Sequence, residues 1–361
     1  MTSRTEDRFA RTRLVEGWDQ DRLAAATAVV MGVGALGNEV AKNLALAGVG
    51  RLILCDPDTV AVANLSRTVL FTEADVGRPK ADVAADALAR LSPGTAVTVR
   101  RADLVAGVGL GELADADLVL GCLDTLRARM RLLGRCALVD AALVDGGTLP
   151  WGGEVRLRLA GDEACYACAL SPRERGASDL PWSCAEPFDA GPVPSTIAGT
   201  AAVASWMTFA ALGVLFATPP RYRILDINAL TGRSGPVSVT RAADCPHHLP
   251  LTGPVEPIPV SVRDTVGALL EALPAGSDPL AWREFPLQAH CPQTGDYDLC
   301  QAGDPGAGGC PGCGTTMRTR SSTRLRDAAA GQHLDALGVA PEEILPVRSA
   351  KGEYLWRRLS R

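Results

Sequence analysis

Lysine is nearly absent from this 361-residue chain: Lys42, Lys80 and Lys351 stand against 36 lysines and arginines combined. A cation without a task would here be arginine, so Lys80 points toward function. Aromatic residues are scarce, at 4%, and there are four histidines. Excess positive charge is missing too. A formal net charge of −5 argues against a surface that coats nucleic acid. No basic-then-apolar leader opens the sequence, where Met1 to Arg13 is polar and charged, and this predicts a cytoplasmic protein. No long-period repeat or low-complexity tract is apparent.

What is present is a large apolar fraction, 47%, and eleven cysteines. That length and composition suffice for one large domain and a smaller one. In a reducing compartment, close C-x-x-C pairs point to thiolate ligands or chemistry rather than disulfides. Ile197 to Ala217 contains no charged residue and is long enough to span a bilayer. It is diluted by Gly199, Thr200, Ser205, Thr208 and Gly213, and no positive cluster precedes it. A buried or dimer-lining helix is therefore expected, with no membrane contact.

The chain is organised around Val29-Val30-Met31-Gly32-Val33-Gly34-Ala35-Leu36-Gly37. A short apolar run ends in Gly-x-Gly-x-x-Gly, and a helical pattern follows through Val40, Leu44 and Leu46. Glycines at such a turn let the backbone approach a phosphate, and the free N–H groups of the helix start favour negative charge. About twenty residues on, the run Leu52-Ile53-Leu54-Cys55 ends at Asp56, placed to accept hydrogen bonds from a ribose. Together these predict a nucleotide-binding βαβ unit; the competing reading is a turn that merely packs helix on sheet.

Next come Pro57-Asp58, Asn64-Leu65-Ser66-Arg67 and Gly77-Arg78-Pro79-Lys80, the last before a helical pattern over Ala81 to Leu91. A hydride-transfer site has no special use for Asn, Arg and Lys gathered there. A triphosphate does, since Arg offers a planar fork and Lys a mobile point charge. The run Asp117 to Cys122 predicts a strand leading to Asp124, which would either hold Mg²⁺ beside phosphates or cap the helix beginning at Thr125. Ala137-Leu138-Val139-Asp140 and Glu154 to Leu159 read as two further strands. Near the N-terminus, Arg8-Phe9-Ala10-Arg11-Thr12-Arg13 reads as the basic edge of a solvated helix or as a cation donor to an anion.

Cys165-Tyr166-Ala167-Cys168 is half of a tetrahedral zinc site or a redox pair, and neither C-x-x-C pair opens a helix in a suitable βαβ pattern. Two partners are available: Cys245-Pro246-His247-His248, and the knuckle Cys310-Pro311-Gly312-Cys313. Cys291 and Cys300 with Cys310 and Cys313 would make a separate four-thiolate ribbon, so that two sites use eight ligands. Cys184, in the loop Pro181 to Pro194, is a nucleophile or incidental, with no histidine within sixty residues. Proline-rich sequence from Leu249 to Val262 marks a linker or extended connection, followed by a helical pattern over Thr265 to Leu273 and an alternating Tyr354-Leu355-Trp356.

Placed end to end, these pieces resemble the ThiF/MoeB family of ubiquitin-activating-like (HesA/MoeB/ThiF) adenylyltransferases, over roughly Arg8 to His248. The carriers are Gly32 to Gly37, Ala47-Gly48-Val49-Gly50, Asp56-Pro57-Asp58, Asn64 to Arg67, Val76 to Lys80, Asp124, Cys165 to Cys168 and Ser183-Cys184-Ala185-Glu186. The resemblance implies a Rossmann-like, doubly wound α/β fold with a largely parallel sheet and zinc knuckles. It places an adenylation domain at 1–249, with a crossover loop near 175–195. Residues 250–361 would form a small C-terminal accessory domain with a cysteine-rich, zinc-ribbon-like segment.

The implied activity is ATP- and Mg²⁺-dependent adenylation of the C-terminal glycine carboxylate of a small ubiquitin-like or sulfur-carrier protein ending in Gly-Gly, with release of pyrophosphate. Adenylation of a short peptide or other small carboxylate is the alternative, and a non-catalytic nucleotide-binding scaffold the contrasting one. By resemblance, Gly32, Gly34 and Gly37 contact the nucleotide and Asp56 binds the ribose, with Asp58 in the same motif. Asn64, Arg67 and Lys80 neutralise phosphates, and Asp124 holds Mg²⁺. Arg11 would reach into the partner subunit of a homodimer. Cys184 would capture the activated carboxylate or pass sulfur, and Cys165, Cys168, Cys245 and His248 would bind the family zinc. The chain departs from the family at Thr12, where glutamine is usual, at Thr125, where asparagine is frequent, and at the histidine of the second knuckle. The region after Pro250 is not a rhodanese domain.

Overall fold

The computed structural model describes residues 7–159, 161, 164–175, 194–291, 293–298, 310, 312–315 and 318–361. Cys184, most of the expected crossover loop and Cys300 lie outside the described residues. Two compact units result: Met1–Leu104 with Leu113–Pro250, and Val105–Glu112 with Leu251–Arg361.

Up to Pro250 the chain forms α1 (Gln20–Ala25), β1 (Thr27–Met31), α2 (Ala35–Ala47), β2 (Arg51–Cys55), α3 (Lys80–Leu91), β3 (Ala96–Arg100), α4 (Leu104–Gly107), α5 (Leu110–Asp115) and β4 (Leu118–Gly121). Then come α6 (Leu126–Leu138), β5 (Leu143–Leu149), β6 (Gly152–Arg158), α7 (Pro172–Arg175), α8 (Ile197–Leu215), β7 (Ile224–Asn228) and β8 (Arg233–Val237). The strands make one sheet in the order β3-β2-β1-β4-β5-β6-β7-β8. Pairs from β3 to β5 are parallel; those from β5 to β8 are antiparallel. The fold is Rossmann-like α/β with a mixed sheet. Its parallel strands are continuous apolar runs because both faces are covered: Ala28 to Met31 and Leu118 to Leu120 are fully buried.

One apolar run belongs elsewhere than its composition suggests. Ala137 and Leu138 end α6 instead of forming a strand, and Asp140 turns the chain with φ +56°. Leu143-Val144 supplies the strand. Runs of four apolar residues do not distinguish a buried helix end from a buried strand.

α8 is, among the described residues, the helix long and apolar enough to cross a membrane by length and composition. In the structure Val203, Ala204, Met207 and Ala211 are buried, and the helix packs on α2, β5 and β6. Thr196 caps its start through the Gly199 N–H.

The second unit contains β9 (Val255–Ile258), α9 (Val266–Glu271), β10 (Asp278–Cys291), β11 (Gly295–Asp298), β12 (Arg318–Arg324), β13 (Ile344–Arg348) and β14 (Tyr354–Leu359). Its sheet runs β11-β10-β13-β14-β9, with β12 also on β10. The proline-rich stretch is thus partly a strand, since β9 pairs parallel with β14. Val266, Leu269, Phe285, Leu325, Leu345 and Val347 centre its core. The segment Val105–Glu112 joins this unit through backbone contact: the Leu110 N–H donates to Glu343 Oε1 at 3.0 Å, and Gly111 N–H to the Glu342 carbonyl at 3.0 Å. A Cβ on Gly109 would sit 2.1 Å from the Pro341 carbonyl oxygen, so the close approach requires glycine.

Candidate active site

In the parallel half of the sheet the winding reverses between β1 and β4, the position where open α/β sheets bind ligands beyond their strand C-termini. The glycine turn leaves β1 there. Gly32 has φ +88°, and a Cβ on it would lie 2.5 Å from the Cys122 carbonyl oxygen. A Cβ on Gly37 would meet the Gly32 carbonyl oxygen at 2.0 Å, so the first turn of α2 packs directly on the loop. Gly34 caps α2 and nothing lies within 4 Å of where its Cβ would be. That open face, beside the unpaired N–H groups of a 13-residue helix, is suited to an anion.

Asp56 follows β2 and is buried. Its Oδ2 accepts the Val33 N–H at 2.6 Å and its Oδ1 the Asp58 N–H at 2.9 Å. Burial pushes its pKa above the ordinary carboxylate value, outweighing those two hydrogen bonds and the nearby Lys80 charge. Asp58 in turn accepts from Lys80 Nζ at 2.7 Å. Lys80, at the start of α3, has its stem buried, while the Asp58 side chain is 64% exposed. A single hydrogen-bonded path therefore runs from the glycine loop through both aspartates to the lysine. The backbone supports it: Lys80 N–H donates to Asp58 O, and Val60 N–H to Arg78 O.

Asn38 was not singled out from sequence, yet it ties the remaining segment in. Fully buried on α2, it donates to the Val33 and Gly34 carbonyls at 2.7 and 3.0 Å and accepts the Leu70 N–H at 3.0 Å. It thereby holds the segment after Arg67 against the glycine loop. Asn64 Oδ1 accepts the Ala61 N–H, and Arg67 Nη1 donates to Ala63 O at 2.7 Å. Both side chains are half-buried.

Asp124 follows β4 and is exposed, with no hydrogen bond or ion pair among the described residues. It does not cap α6, because Thr125 Oγ1 accepts the Ala128 N–H instead. The carboxylate is thus left available to a cation. Its loop is fixed from beneath by Arg129, which donates to Leu123 O and Gly146 O and pairs with Asp145 at 2.7 Å. Asp145 is fully buried, with Arg156 3.5 Å away. Burial disfavours the Arg129 charge, but Asp145 more than offsets it and holds the guanidinium pKa above its ordinary value. Spacing alone gives no signal for this pair, which meets only when α6 packs on β5. Arg11 is exposed.

Cys165, Cys168, Cys245 and His248 converge, all ligand atoms within 4.8 Å. Cys165 Sγ lies 3.9 Å from Cys168 Sγ and 3.8 Å from Cys245 Sγ, and Cys168 Sγ is 3.1 Å from His248 Nε2. A tetrahedron with Zn–S bonds of about 2.3 Å has edges of about 3.8 Å. The donor set and spacing fit a closed structural zinc site. Burial, then the neighbouring thiols, push the Cys165 thiol up to about 12, a cost that metal binding would relieve.

A family model described as the ThiF family matches residues 7–247. The chain is 36% identical over 165 residues to the molybdopterin-synthase adenylyltransferase of Escherichia coli strain K12, covering 45% of this chain and 66% of that protein. It is 35% identical over 234 residues to the sulfur carrier protein adenylyltransferase of Thermus thermophilus, covering 63% of this chain and 83% of that one. The chain thus spans just under two thirds of the length of the E. coli relative. Among solved structures, E. coli MccB matches with a TM-score of 0.56 at 21% identity, over 69% of this chain and 75% of that one, a likeness of fold.

Proposed function

This chain belongs to the ThiF family, and on that premise we propose that it is an ATP-dependent adenylyltransferase activating the C-terminal glycine carboxylate of a small ubiquitin-like or sulfur-carrier protein. The observation that carries this reading is the path Val33–Asp56–Asp58–Lys80, which joins a ribose acceptor, an open helix N-terminus and a buried-stem ammonium at one sheet edge. The name of the Thermus relative supports the choice of acceptor.

In the reaction a carboxylate oxygen bonds to the α-phosphorus and the α–β phosphoanhydride breaks, so pyrophosphate leaves with the electron pair. No proton needs to move. The obstacle is bringing two anions together, and it is met by positioning and charge. Asp56 accepts the ribose hydroxyls, the Gly32 to Gly37 turn seats the nucleotide, and Asn64, Arg67 and Lys80 face the phosphates. Lys80 exchanges Asp58 for phosphate oxygen as the nucleotide enters. Magnesium, held by Asp124, would supply further neutralisation of phosphate charge. Zinc at Cys165, Cys168, Cys245 and His248 would be structural. Arg11 would complete the site of the partner subunit in a homodimer, and Cys184 would take the acyl group as a thioester, its S–H proton passing to solvent as the acyl–phosphate bond breaks and AMP leaves.

ATP–pyrophosphate exchange tests the reading. Wild-type chain should exchange only with a carrier ending in Gly-Gly, and Lys80→Ala or Asp124→Asn should lose exchange at unchanged melting temperature. Mixing Arg11→Ala with Lys80→Ala should recover part of it, since one site of the mixed dimer is then intact. Cys184→Ala should keep exchange and lose the covalent carrier conjugate. Exchange supported by a short peptide alone would replace the acceptor; undiminished exchange by Lys80→Ala would remove the proposed chemistry.

A further inference from the structure

The second unit holds a cysteine cluster for which the adenylation chemistry has no use. β10 ends at Cys291, and the chain continues Pro292-Gln293-Thr294-Gly295; ahead of β12 stands Cys310-Pro311-Gly312-Cys313-Gly314. Superposed on their first cysteines, both read Cys-Pro-x-x-Gly, with Thr294 in the place of Cys313. The backbone repeats as the sequence does. Gln293 N–H donates to Cys291 Sγ at 3.4 Å, and Gly312 N–H to Cys310 Sγ at 3.4 Å. Each turn closes on a left-handed glycine, Gly295 at φ +93° and Gly314 at φ +72°. Amide N–H groups aimed at sulfur favour the thiolate over the thiol.

The two turns face each other. Ligand atoms of Cys291, Cys310 and Cys313 all lie within 4.8 Å. Cys291 Sγ is 3.5 Å from Cys313 Sγ, and Thr294 Oγ1 is 3.0 Å from Cys310 Sγ. Among the described residues, three sulfurs and one hydroxyl thus mark the corners of a four-coordinate site. Cys291 and Cys310 are buried, whereas Cys313 and Thr294 are exposed.

We propose that Cys291, Cys310 and Cys313 bind a zinc ion through three thiolates, with the corner marked by Thr294 left to an exchangeable water or thiol. Three S–H protons pass to solvent as three S–Zn bonds form, with no change of oxidation state. Zinc in proteins takes sulfur, imidazole nitrogen or carboxylate oxygen, and a neutral threonine hydroxyl is none of these. Catalytic sites with three protein ligands keep the fourth position open; among the described residues three thiolates gather here, and the corner beside Thr294 is on the solvent side. The centre is independent of the adenylation reading, since none of its residues belongs to that site.

The test counts metal in the purified 361-residue chain, in one variant that lacks a thiolate and in two that keep all three. Wild type should carry two zinc ions, one at each cysteine cluster. Cys310→Ser should lose one. Cys300→Ser should retain both, and Thr294→Cys should retain both while releasing the second ion to a chelator more slowly. In cobalt-substituted protein, 2-mercaptoethanol should strengthen the sulfur-to-cobalt charge-transfer absorption of wild type and leave Thr294→Cys unchanged. One ion in wild type overturns the site. Loss of the second ion in Cys300→Ser, or no thiol response in wild type, overturns the open corner.

Discussion

At the residue scale, Asp56 sets how the site responds to pH. Its raised pKa, caused first by burial, means that the carboxylate gains its proton at higher pH than an exposed aspartate would. In the role proposed for it, only the ionised form would accept both ribose hydroxyls. ATP affinity should therefore fall as pH is lowered through that value, with an acid limb above the ordinary 3.8. Asp56→Asn should remove the limb and weaken binding by about 1.5–3 kcal/mol, roughly ten- to a hundredfold in Kd. Calorimetric titration of ATP across the acid range checks this, and an unchanged limb in the variant would assign it elsewhere. That Asp56 and Lys80 stand beside the glycine turn, and that Cys165, Cys168, Cys245 and His248 converge, could be anticipated because their residue types carry their chemistry. Asn38 and the Arg129–Asp145 pair were not, since a buried polar residue acquires its role only from the carbonyls and charges that the fold brings to it. Thr294 was missed for the opposite reason: it stands where a ligand would be without being a ligand type.

At the scale of elements, two glycines of one turn separate packing from binding. Gly37→Ala drives a methyl into the Gly32 carbonyl at 2.0 Å and has no flexible neighbour to yield. It should lower stability by about 1–3 kcal/mol, seen as a drop in melting temperature. Gly34→Ala meets nothing within 4 Å and sits at φ −73°, acceptable to alanine. It should melt as wild type does and yet lose ATP affinity, because its methyl would occupy the open face on which the nucleotide is proposed to sit. Normal ATP binding by Gly34→Ala would show that this turn is not the seat. From apolar runs and 3.6-residue spacing, α2, α3 and α9 and the strands β1, β2, β4 and β6 could be read, but not β3, β7, β8 or β10 to β13. The Ala137 to Asp140 run could not, because helix α6 continues through it before the chain reverses at Asp140.

At the scale of the whole molecule, the composition break at Pro250 suggested a simple end-to-end arrangement. The second unit instead includes Val105–Glu112, residues lying between β3 and β4 in the chain. No composition shift marks that segment, so sequence gave no hint of it. A chain ending at Pro250 would leave the Leu110 and Gly111 N–H groups without Glu343 and Glu342. Limited proteolysis should cut that truncated chain within 105–112 and spare the same bonds in the 361-residue chain. Equal resistance in both would show that the segment needs nothing from the C-terminal residues.

The same interleaving has a consequence for biosynthesis. Leu110 and its neighbouring glycines leave the ribosome more than two hundred residues before Pro341 to Glu343, the backbone they are shaped to meet. Until Pro341 to Glu343 have been made, this stretch must wait for them while the strands on either side of it are already able to align. Domains generally fold as units in order of synthesis, but here residues made more than two hundred positions later complete something begun before β4.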